Sequence, residues 1–126
     1  METEVGPVAV EPEKSPYGKV IGIVKNHDQL QAVTQALSML GVQDIEVLEG
    51  SAGIKVLDQE QGGTSRYFIG DIEAEVIQRY LKAVKGGQIV FAAVVESESA
   101  NHAATTAKGR GASEVVHFGN WVITKY

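Results

Sequence analysis

Ile89-Val90-Phe91-Ala92-Ala93-Val94-Val95 is an unbroken apolar run rich in β-branched residues, and Lys19-Val20-Ile21-Gly22-Ile23-Val24 repeats its character near the other end of the chain. A strand with one wet face alternates apolar and polar residues, whereas one covered on both faces need not. Both runs therefore read as strands at the centre of a sheet. Downstream of the first, Asn26 or Asp28 can cap a helix in which Leu30, Val33, Leu37 and Leu40 recur at helical spacing, and Gly41 offers the left-handed stop. Downstream of the second, Ser97 or Ser99 can open a helix carrying Ala100, Ala103, Ala104 and Ala107 on one side, ended near Gly109 and Gly111. Each helix leads into a shorter extended segment, Asp44 to Val47 and Glu114 to Phe118, the first of them alternating as an edge strand would.

The chain thus repeats one plan, with Gly41-Val42-Gln43-Asp44-Ile45 facing Gly111-Ala112-Ser113-Glu114-Val115. Two βαβ halves predict an α/β (α+β) ferredoxin-like sheet whose first strands are central and whose second strands lie at the edges. A small doubly wound parallel sheet of order 2-1-3-4 also puts the two apolar runs in the middle. The pairing of the halves favours the ferredoxin-like arrangement, because it makes the helix predicted from Asp71 to Val84 an extra connector. That helix carries Ile72, Val76, Tyr80 and Leu81 as a stripe, widened by Ile77 and Val84, and ends at Gly86 and Gly87. Between the halves, Ile54, Val56 and Leu57 form a short apolar patch for which a strand stays open, followed by polar residues from Gln59 to Arg66.

With 126 residues, 44% of them hydrophobic, the chain is sized for one domain with a core of its own. Pro7, Pro12 and Pro16 all precede the first apolar run, alongside Glu2, Glu4, Glu11 and Glu13 with Lys14 as the one basic residue. This composition predicts a disordered acidic tail over residues 1–17 and a single domain over residues 18–126. The absence of cysteine removes disulfides and thiolate chemistry, and a net charge of −5 argues against nucleic acid as a partner. No apolar run is long enough to span a membrane, and acidic residues stand where a secretory leader carries basic ones, so the expected location is cytoplasmic.

The stretches VIGIVKNHDQLQAVTQALSMLGV, FIGDIEAEVIQRYLKAVKGGQIVFAAV and GASEVVHFGNW, spread over residues 19–121, resemble the small bacterial general stress proteins of the heat-induced 17M type and their glycine-zipper relatives. In that family the middle region often holds a long small-residue hairpin suited to a membrane. The corresponding Ser51 to Gly70 is short and polar, a departure that argues against membrane association. The resemblance implies a stress-associated role and supplies no catalytic residues.

Several clusters are candidate sites. Gly62-Gly63-Thr64-Ser65-Arg66 combines free backbone N–H groups, two hydroxyls and a guanidinium, and is the candidate cradle for a small anionic ligand. It matches neither a P-loop nor a dinucleotide fingerprint, and a mobile surface loop is the favoured reading of it. Lys108, Gly109, Arg110 and Gly111 read as helix termination. The acid pairs Glu73 with Glu75 and Glu96 with Glu98 read as solvated charge. His27, His102 and His117 fall on separate elements without metal-ligand spacing, so no metal and no cofactor is expected. Phe118, Trp121 and Tyr126 concentrate aromatic mass near the C-terminus and are the candidate interface residues. Because a ferredoxin-like sheet packs two helices on one face, its other face needs a cover: the helix predicted from Asp71 to Val84, the C-terminal segment, or a second subunit making a homodimer. The expectation is a non-enzymatic, stress-associated protein acting through self-association or partner binding, without catalytic residues. The alternative is a sensor or regulatory module for an anionic ligand held by Thr64 to Arg66.

Overall fold

A computed structural model describes residues 17–61, 74–118 and 123–126. The elements are β1 (Tyr17–Val24), α1 (His27–Met39), β2 (Ile45–Leu48), α2 (Gly50–Gln61), α3 (Ala74–Lys85), β3 (Ile89–Glu96), α4 (Ala100–Gly109), β4 (Ser113–Phe118) and β5 (Ile123–Lys125). Strand β1 begins at Tyr17, opposite Glu96, where the expected tail was to end.

The fold is α+β. Among the described residues the strands form one sheet of order β2-β3-β1-β4-β5, antiparallel at every pairing. The parallel alternative of order 2-1-3-4 is thereby corrected: β2 lies beside β3, and β1 runs opposite to both its neighbours. The reason lies in the connections. Helix α1 carries the chain past the position next to β1, leaving a gap that β3 fills in the opposite direction. The two apolar runs, β1 and β3, are the central pair, and β2 is an edge, as their compositions require.

Helices cover both faces. On one, α1 contributes Val33 and Leu37 and α4 contributes its four alanines, packed on Val20, Val24, Phe91, Ala93 and Val115. On the other, Leu57 of α2 and Val76, Tyr80, Leu81 and Val84 of α3 cover Ile21, Ile23, Val90, Ala92 and Val116. The chain's own helices thus supply the second cover for which a further subunit was one expectation.

Local signals account for most boundaries. The Asn26 side chain accepts from Gln29 N at 2.9 Å, and the Gln29 side chain accepts from Lys25 N at 2.8 Å, closing the start of α1. Helices α1, α3 and α4 end alike, with Val42 N donating to Leu37 O, Gln88 N to Ala83 O and Ala112 N to Ala107 O across a left-handed glycine. A short 3-10 turn, Ser97–Ser99, precedes α4, and Ser99 makes no side-chain cap. The segment left open between strand and other structure is the helix α2. The chain leaves β2 at Gly50, which adopts φ +62°, and α2 folds back against the strand. Gly53 lies so near β2 that a Cβ would stand 2.8 Å from the Leu48 carbonyl carbon. Asp71, the expected cap of α3, lies outside the described residues.

Candidate functional site

Along α1, Gln31, Thr34, Gln35 and Ser38 follow the spacing i, i+3, i+4, i+7 and so form one stripe beside the buried one. This polar stripe, with Val42, Gln43 and Ile45, lines an open groove of about 450 Å³ between α1 and the edge strand β2. Val47 next along the strand is 38% exposed, and Met39 at the end of α1 is 82% exposed. At the far end of β2, His27 Nε2 and Glu49 Oε1 meet at 2.9 Å, tying the first turn of α1 to the strand's exit.

The hydrogen-bond ladder decides what the edge offers. Val94 N donates to Asp44 O at 2.9 Å, so residues 44 and 94 face each other at a hydrogen-bonding position across β2 and β3. By antiparallel alternation Glu46 and Leu48 also point their backbone groups at β3, while those of Ile45 and Val47 point away from the sheet. The edge therefore presents two N–H and two C=O groups beside apolar side chains, and a rim of carboxamides and hydroxyls. Such a surface can pair an extended backbone. None of the lining groups is a general acid, a general base or an activated nucleophile.

A second constellation lies where α3 crosses β4. Register between β1 and β4 shifts so that Glu114 and Val115 oppose Gly22 alone, a β-bulge. Glu114 adopts φ +49°, and the buried Tyr80 hydroxyl donates to its carbonyl oxygen at 3.0 Å. Arg79 stands 2.6 Å from the Glu75 carboxylate and 3.5 Å from that of Glu114. Burial, then the nearby Glu114 carboxylate, push the Tyr80 hydroxyl far above its ordinary pKa, so it acts as a fixed donor.

His117 on β4 keeps Nε2 buried without a hydrogen-bond partner among the described residues, and burial holds its pKa below the ordinary 6.5. His102 is exposed on α4, and the three histidines are not brought together. Among the described residues no group of three or more potential metal ligands forms.

Comparison with family models, curated proteins and solved structures finds no match to this chain. Among the described residues no helix is long and apolar enough to cross a membrane.

The expected anion cradle, Gly62, Gly63, Thr64, Ser65 and Arg66, lies outside the described residues, as do Trp121 and Glu73. The structure does not gather Phe118 and Tyr126 into one patch. Phe118 is buried in the layer under α2 and α3, whereas Tyr126 packs half-buried against the core of the opposite face. Consecutive residues of a strand point to opposite faces, and the β4–β5 pairing carries that parity to the C-terminus, with Tyr126 N donating to Val115 O at 2.8 Å. Lys108 and Arg110 flank the end of α4, with Gly111 at φ +101° as its left-handed stop. The groove was missed by sequence reasoning, although the polar stripe of α1 was a usable signal. The Tyr80–Glu114 bond had no signal, since Tyr80 reads only as one member of an apolar stripe.

Proposed function

We propose that this chain is a non-enzymatic binding module that docks a protein partner at the outer edge of β2, unpaired among the described residues, and the groove beside α1. The observation that carries this reading is the groove itself, an open volume lined by amides, hydroxyls and aliphatic side chains that reaches Ile45, whose outward backbone groups are continued along the edge by those of Val47. These groups hold a peptide by hydrogen bonds and apolar contact, and none is suited to exchange a proton with a substrate at neutral pH.

The order β2-β3-β1-β4, antiparallel with α1 and α4 on one face, supports a ferredoxin-like arrangement in which α2 and α3 are an insertion and β5 an addition. The resemblance to stress proteins of the 17M type supports a stress-associated, cytoplasmic setting for the docking role.

A photo-crosslinking residue placed at Gln35 in the groove, against a control at Asn101 on α4, tests the reading in cells. Adducts of one discrete partner from position 35 and none from position 101 are expected. Equal adducts from both positions, or none from either, would overturn the reading. An adduct of twice the chain's own mass would reassign the groove to self-association.

A further inference from the structure

Resting on that reading, we propose that the occupant of the edge is an extended segment of a basic partner, carrying a lysine or arginine between two apolar residues and adding a strand beside β2.

The charge of the site selects the partner. Between Lys25 and Lys55, a span that includes all of α1 and β2, the sequence contains Asp28, Asp44, Glu46 and Glu49, the last of them in contact with His27, and neither lysine nor arginine. Asp44, Glu46 and Glu49 are exposed. An incoming strand bonds to the outward groups of Ile45 and Val47, so its residue opposite Glu46 occupies a non-hydrogen-bonded position, where facing side chains are closest. A cationic residue there pairs with Glu46 on the α2 side of the sheet. Its two neighbours, opposite Ile45 and Val47, then fall on the α1 side and meet the groove.

The same geometry disfavours a second copy. The two-fold pairing that uses all the outward groups sets Ile45 against Val47 of the other copy, and therefore Glu46 against its own equivalent. Like charges directly opposite each other destabilise a strand pair. The chain's own residues 1–16, with Glu2, Glu4, Glu11, Glu13 and the single Lys14, also have the wrong sign.

The test titrates two short acetylated peptides, alike except for a valine–lysine–valine or valine–glutamate–valine core, into the isotope-labelled full chain. Amide exchange and chemical shifts of Ile45 and Val47 are the readout. The lysine peptide should slow exchange at both amides and bind about five-fold more tightly than the glutamate peptide. Glu46→Lys should reverse that order, and added salt should shrink it. If both peptides protect Ile45 and Val47 equally, the basic partner is wrong and the docking edge stands. If neither does, or if both amides are protected in the free chain, the docking reading itself falls.

Discussion

The Tyr80 hydroxyl donates to the Glu114 carbonyl oxygen across 3.0 Å, joining α3 to the one place where β4 leaves regular register with β1. A bulge frees backbone groups from the ladder, and a buried carbonyl without a donor is unfavourable. Helix α3 therefore does more than cover the sheet, since its tyrosine satisfies the irregularity beneath it. Ile21 O lies further off, at 3.5 Å from the same hydroxyl.

Replacing Tyr80 with phenylalanine keeps the ring and removes the donor. Stability should fall by about 1–2 kcal/mol, measured by urea unfolding near neutral pH. The folded pKa lies above the unfolded value of 10.0, so the unfolded chain releases this proton first as pH rises. The stability contributed by Tyr80 is complete below that value and is lost above it, and Tyr80→Phe should flatten this alkaline decline.

Glu114 at φ +49° sits in a region that costs a side-chain-bearing residue about 1–2 kcal/mol. Glu114→Gly should leave stability unchanged or raise it by up to about 1 kcal/mol, whereas Glu114→Val should lower it by about 1–2 kcal/mol. The Arg79 pair lost in both variants is partly exposed and contributes little. Equal unfolding midpoints for the two variants would show that backbone conformation at this position is unstrained.

Opposite the bulge, a Cβ on Gly22 would stand 2.9 Å from the Phe91 ring and 3.1 Å from Val115 Cγ2. Both neighbours are fully buried, so neither can move into solvent. Gly22→Ala should destabilise by about 1–3 kcal/mol, and adding Phe91→Leu should restore part of the loss. A double variant no better than the sum of its parts would place the strain elsewhere.

His117 makes acid stability specific. Its folded pKa is below the unfolded 6.5, so the unfolded chain takes up the proton first as pH falls. The contribution of neutral His117 is complete above about pH 7 and declines as pH drops through 6.5 toward the folded value. The urea midpoint should therefore fall between about pH 7 and pH 5 in the native chain, and less so in His117→Leu. Matching pH profiles for the two proteins would contradict the buried, neutral imidazole.

Much of the fold was legible because it rests on local rules. Asn26 caps α1, Gly41, Gly87 and Gly111 adopt the left-handed conformation, and the four alanines of α4 are all buried, each as its position in the pattern implies. Segment 50–61 resisted reading because an apolar patch as short as Ile54 to Leu57 has no decisive period. In the structure it is a helix whose Gly53 packs close against Leu48 at the end of β2. The candidate groove was half legible: the polar stripe of α1 is visible in one dimension, but not that β2 would lie beside it as an edge among the described strands.

Outside segment 50–61 and the short β5, the amino-acid sequence alone determined which segments become strands and helices and which strands are central, because periodicity, capping residues and unbroken apolar runs act over a few neighbouring positions. Only the tertiary structure decided strand direction, the helices that close the second face, and the Tyr80–Glu114 contact. Those depend on where distant segments meet, and an apolar strand buries equally well beside a parallel or an antiparallel neighbour.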